Sequence, residues 1–81
     1  MKDITEFDLV VLEAIFAGAK SWYSIERFLA KRAIIPNVLP TVCLKKLKQM
    51  GLIEYYLGED DIYRIKITEL GEEVVNLKRQ D

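Results

Sequence analysis

The chain has 81 residues, 51% of them hydrophobic, with 12 Lys and Arg against 13 Asp and Glu and a formal net charge of -1. That balance excludes an intrinsically disordered chain, and the length gives one expected domain over residues 1–81. The apolar runs fall far short of the ~20 residues of a membrane span, and one Cys with no His argues against a disulfide framework, a structural zinc site and a His-based nucleophile pair.

The start, from Met1 to Glu6, lacks the apolar stretch of a secretory signal, so an intracellular, cytoplasmic protein is expected. The first helix is expected over about 5–17, capped by Thr5 and stopped by Gly18. On a helical wheel it carries two apolar stripes. Ile4, Phe7, Val11, Ala14 and Ile15 form the wider one. Leu9, Leu12 and Phe16 form the other. A core this small is not expected to cover both, so Leu9, Leu12 and Phe16, joined by Val75, are expected at a homodimer interface.

Ser21 is a natural N-cap for a second helix over about 22–32, with Ile25, Phe28 and Leu29 inward and Arg27, Lys31 and Arg32 outward. Pro36 disfavours helix at the residue before it. A third helix is expected over about 38–50, capped by Asn37, with Pro40 in its first turn and Gly51 just past its end. Leu44, Leu47 and Cys43 face inward; Val38, Thr41, Val42, Lys45 and Gln49 face outward, flanked by Lys46 and Lys48. Trp22 and Cys43 are read as packing residues.

After Gly51 the period changes from 3.6 to 2. Strands are expected over about 52–57 and 62–67, joined by Gly58-Glu59-Asp60-Asp61. Thr68 then caps a last helix over about 69–79. The fold class is therefore mainly α with a small β-hairpin (α+β), its core centred on Phe28, Leu44, Leu47, Leu52, Ile53 and Ile65.

The charge is unevenly placed. Residues 20–50 hold seven bases against Glu26 alone, whereas 1–19 sum to -3 and 51–81 to -4. A basic segment in a near-neutral protein is the electrostatic footprint of a nucleic-acid site.

Three stretches carry a family resemblance. Ser21-Trp22-Tyr23-Ser24-Ile25-Glu26-Arg27-Phe28-Leu29 resembles the helix before the recognition helix of winged helix-turn-helix regulators. Leu44-Lys45-Lys46-Leu47-Lys48-Gln49-Met50-Gly51-Leu52-Ile53-Glu54 resembles the passage from recognition helix to wing. Tyr63-Arg64-Ile65-Lys66-Ile67-Thr68-Glu69-Leu70-Gly71-Glu72-Glu73 resembles the exit into the last helix of MarR- and PadR-type regulators. Small winged-helix proteins of archaea and their viruses are similar in size. The resemblance implies a winged helix that binds double-stranded DNA as a dimeric transcription regulator, without a cofactor, a metal, a small-molecule ligand or an enzymatic activity.

On that reading the third helix enters the major groove, with Val38, Thr41, Val42, Lys45 and Gln49 at base edges. Ser21, Tyr23, Lys31, Arg32, Lys46, Lys48, Arg64 and Lys66 are the phosphate candidates. One feature departs from the family pattern. The wing tip Glu59-Asp60-Asp61 is acidic where such regulators carry bases, so only the base of the wing, through Arg64 and Lys66, is expected near phosphates. The other reading is a winged helix that binds protein, with Val38, Val42 and the acidic wing against a partner.

Overall fold

The structure is a computed structural model and describes residues 4–36 and 38–79. Four helices and one hairpin follow in the order α1 (Glu6–Phe16), α2 (Trp22–Lys31), α3 (Pro40–Gln49), β1 (Ile53–Leu57), β2 (Tyr63–Ile67) and α4 (Glu69–Lys78). None of these helices is long and apolar enough to cross a membrane. The element order and the mainly α composition with a small hairpin are those expected from the sequence.

α1 begins in a capping box. The Asp8 N–H donates to Thr5 Oγ1 at 3.1 Å, and the Thr5 N–H donates back to Asp8 Oδ2 at 3.1 Å. At the other end Gly18 takes a φ of 115°, a conformation that glycine adopts without the Cβ penalty. Between these ends the helix packs against α2, β2 and α4. That covers both of its apolar stripes. Leu9 is 4% exposed, Leu12 0% and Val75, on α4, 5%. The expectation that these three lie on an open dimer face is therefore incorrect; of that set only Phe16 is exposed, at 47%. The reason is the position of α1. It is the central helix, and the chain wraps back to cover its second face.

α2 starts at Ser21, whose Oγ accepts from the Ser24 N–H at 3.3 Å, and it buries Ile25 and Leu29. It ends where Ala33 takes a left-handed φ of 56° and the Ile34 N–H donates to the Leu29 carbonyl. α3 starts later than the sequence pattern suggests. Its N-cap is Leu39, with φ -66° and ψ 140° and no side-chain cap. Leu39 precedes Pro40, and the proline ring excludes helical geometry from the residue before it. Val38 is thus an exposed residue ahead of the helix rather than part of it. The expected cap, Asn37, lies outside the described residues.

β1 and β2 pair antiparallel with Ile53 opposite Ile67, Tyr55 opposite Ile65 and Leu57 opposite Tyr63. Residues 58–62 form the turn, one residue longer than expected, closed by Gly58 N–H to Ile62 O at 2.9 Å. The Ile65 N–H donates to the Lys20 carbonyl, also at 2.9 Å, which ties the α1–α2 link to the hairpin. Of the expected core, Leu44, Leu47, Leu52, Ile53 and Ile65 are buried, with Phe28 half-buried against them.

Thr68 joins the two halves. Its Oγ1 accepts from the Gly71 N–H at 3.1 Å and donates to the Gly51 carbonyl at 2.6 Å. Gly71 then lets α4 approach the strand backbone. A Cβ at this position would collide with the Leu52 carbonyl oxygen and with Ile67 Cγ1. At the far end of α4, the Arg79 guanidinium donates to both Glu13 carboxylate oxygens and to Glu6, which fastens this end to α1. Gly71→Ala gains up to ~1 kcal/mol of helix propensity. It is nonetheless expected to lower stability by about 1–3 kcal/mol through overpacking. Urea unfolding of the two proteins checks this.

Candidate nucleic-acid interface

α3 is fixed by its inner face, where Cys43, Leu44 and Leu47 are buried. At 100° per residue this leaves Thr41, Val42, Lys45, Lys48 and Gln49 outward, and all five are exposed. Three of the residues expected at base edges, Thr41, Val42 and Lys45, occupy the first one and a half turns, and Gln49 ends the helix. Val38 stands ahead of them on the loop. No acidic residue interrupts the sequence from Val38 to Gln49. Lys48 Nζ lies 5.2 Å from the centre of the Tyr55 ring, so the first strand of the wing flanks the basic end of this face.

The phosphate candidates divide into two groups. Tyr23, Lys31, Arg32 and Lys48 are exposed and make no ion pair among the described residues. Arg32 lies over the Phe28 ring at 3.8 Å, which holds its guanidinium against α2. Arg27, not among the candidates, sits 5.9 Å over the exposed Tyr23 ring and adds charge to the same helix. Ser21 sits at the α2 N-terminus, with its hydroxyl oxygen used as the cap.

Lys46, Arg64 and Lys66 form the second group, because each has a carboxylate partner. Arg64 Nη2 is 2.8 Å from Asp60 and Lys66 Nζ is 3.1 Å from Glu54. Both pairs are exposed, where such contacts contribute little and exchange readily. The wing therefore carries its bases already matched, beneath an acidic tip. Lys46, expected at a phosphate, is engaged within the molecule. Its Nζ lies 2.5 Å from Asp8 Oδ2, and the two side chains are only 22% and 6% exposed.

Asp8 is the residue that the sequence did not single out. It is the one buried charged side chain among the described residues. Its Oδ2 accepts from Lys46 and from the Thr5 N–H, and its Oδ1 accepts from the Cys43 thiol at 3.5 Å. Burial by itself would raise its pKa. The Lys46 hydrogen bond, then those from Thr5, outweigh that and hold the carboxyl below its ordinary value of 3.8. The Cys43 thiol is pushed up to about 12, first by burial and then by the Asp8 charge, so it stays protonated and unreactive. The only local signal for Asp8 was the Thr-x-x-Asp spacing of a capping box. Its partner lies 38 residues further along.

No group of three or more His, Cys, Asp or Glu side chains is placed to hold a metal among the described residues. No family model matches the chain. No characterised protein matches it by sequence. The fold does have a solved counterpart. The chain superimposes on a PadR family transcription regulator from hypervirulent Clostridium difficile R20291, seen by crystallography, with a TM-score of 0.74. The fold is a winged helix. The match covers 94% of this chain and 85% of the regulator, at 16% sequence identity. At that identity the likeness is one of fold.

Asp8 has a depressed pKa in the folded protein, so the stability it contributes is complete above its unfolded value of about 4 and is lost as pH falls through the lowered value. Asp8→Asn is expected to cost about 1–3 kcal/mol at neutral pH by leaving a half-buried Lys46 without its counter-charge. The difference from the parent should shrink below about pH 4. Denaturant unfolding measured from pH 3 to pH 7 checks both statements.

Proposed function

We propose that the protein is a sequence-specific double-stranded DNA-binding transcription regulator that places α3 in the major groove. The observation that carries this reading is the outward face of α3. Thr41, Val42, Lys45, Lys48 and Gln49 project together from a helix whose opposite side is locked into the core. A helix of this diameter fits the major groove of B-DNA. Thr41 exchanges hydrogen bonds with base edges, Val42 and Val38 meet thymine methyl groups, and Gln49 suits adenine. Lys45 suits guanine or a phosphate. Lys48 and the α2 residues Tyr23, Lys31 and Arg32 lie toward the phosphates, with backbone N–H groups beside Ser21 as a further anion contact. The wing contributes little positive charge, since Arg64 and Lys66 are matched by Asp60 and Glu54. The structural neighbour is itself a transcription regulator, which supports the same reading.

Salt-titrated binding to a mixed-sequence duplex, followed by selection of preferred sites, tests it. Lys45→Ala and Lys48→Ala are each expected to flatten the slope of log K against log salt by about 0.9. Thr41→Ala and Val42→Ala are expected to alter the selected sequence, at about 1–3 kcal/mol per lost base contact, with non-specific binding nearly intact. If neither pair of variants changes slope or selection, α3 is not the reading element.

The same reading includes a homodimer, since paired half-sites need two recognition helices. With Leu9, Leu12 and Val75 inside the monomer, the surface proposed for it is the groove between α1, α2 and α4, with Phe16, Phe28, Asn76 and Arg79 along it. Phe16 supplies its exposed apolar area. Light scattering is expected to give a mass near twice 9.4 kDa, and Phe16→Glu is expected to give a folded monomer. A parent protein that stays monomeric at tens of micromolar overturns the dimer.

A further inference from the structure

We propose that Asp8 is a built-in counter-ion that withholds Lys46 from DNA phosphates and so holds down sequence-independent binding. The inference rests on the DNA reading above, and it concerns which bases of α3 are spent inside the molecule.

Lys46 stands at the edge of the proposed DNA face. It is four residues after Val42 and three before Gln49, so it neighbours both on the helix surface. By sequence it equals Lys45 and Lys48. By structure it does not, because its ammonium is held by a carboxylate that is itself enclosed. Asp8 receives three donors, one of them within the α1 cap. They are the Thr5 N–H, the Cys43 thiol and Lys46 Nζ. Two of the three come from one turn of α3, so the carboxylate fixes the rotation of α3 against α1 as well as the position of the Lys46 head group.

Consider what a phosphate must do to attract Lys46. A phosphate on duplex DNA is solvated and lies in high dielectric, where one ion pair is weak. Moving Lys46 to it leaves Asp8 buried without its cation, and an unpaired buried charge is costly. The internal pair therefore holds during encounter. Lys46 occupies a place at the groove margin without adding to the sequence-independent attraction that Lys45 and Lys48 supply. A smaller phosphate contribution leaves a larger share of the binding to base contacts. The arrangement makes Asp8 a positioning residue for α3 and a determinant of the ratio of specific to non-specific affinity.

The counted phosphate charge reads this directly, since each neutralised phosphate contributes roughly -0.9 to the salt slope. The experiment measures binding of the parent and three variants to a mixed-sequence 30-bp duplex across a salt series, with circular dichroism to establish folding. Asp8→Asn keeps the size of the side chain and frees Lys46. It is expected to steepen the slope by about 0.9 and to tighten non-specific binding. Lys46→Met alone is expected to leave the slope unchanged, in contrast to Lys45→Ala. The double variant is expected to return to the parental slope. Stability loss alone would not steepen a salt slope or make it depend on Lys46. A Lys46→Met protein that flattens the slope by about 0.9 overturns the proposal, because Lys46 then already contacts phosphate. A folded Asp8→Asn protein with the parental slope overturns it as well. Should Asp8→Asn fail to fold, the Lys46→Met slope decides by itself. A parent that binds no duplex at any salt removes the DNA reading and this inference together, a result distinct from all of these.

Discussion

The architecture depends on covering α1. A helix that is apolar around most of its circumference is stable only inside a molecule, and a chain of this length has few elements with which to enclose it. α2 takes one side, and the hairpin and α4 take the others. The remaining close approaches follow from that requirement. The hairpin is drawn in by the Ile65 to Lys20 backbone bond, α4 reaches the strands because Gly71 has no side chain, and Arg79 fastens the far end of α4 to Glu13 and Glu6. With α1 enclosed, α3 has only one face to bury, and its other face is left for solvent or a ligand.

Local signals in the sequence located most of this. Thr5, Ser21 and Thr68 each cap the helix that follows them, and Gly18 and Gly51 take positive φ at helix ends, because caps and stops are written within a few residues. The change of period after Gly51 located the hairpin for the same reason. The start of α3 was misplaced by two residues although the signal was present. The rule that keeps Ile35 out of a helix before Pro36 also keeps Leu39 out of one before Pro40. The fate of Leu9, Leu12 and Val75 was not legible in the same way. A helical wheel shows that two faces are apolar, but it does not say whether a second subunit or the returning chain covers them. That is settled by contacts between α1 and elements more than forty residues away.

The candidate interface shows the same division between near and far. Which residues of α3 point outward follows from its 3.6-residue period, and the outward set was readable once Leu44 and Leu47 were assigned to the core. Which of its lysines is available was not readable. Lys45, Lys46 and Lys48 are equivalent in composition and nearly so in spacing, and only the three-dimensional approach of Asp8 separates one from the others. Counting charges by segment gave residues 20–50 a surplus of positive charge, yet part of that surplus neutralises an acid contributed by the first helix.

Charge pairing also gives the wing a different character from α3. In the hairpin, Glu54 faces Lys66 across the strands, and Asp60 meets Arg64 at the turn. These exposed pairs contribute little to stability, but they cancel the positive potential that a wing would present to a phosphate backbone, and Glu59 and Asp61 then leave the tip negative. The apolar side of the hairpin faces the core at Ile53 and Ile65 and ends in the exposed Leu57 and Tyr63. Positive potential is thereby concentrated on α2 and α3 and withdrawn from the hairpin. A nearly neutral protein can hold a basic segment only if its acids lie elsewhere in the chain, and here every acid but Glu26 lies in residues 1–19 or 51–81.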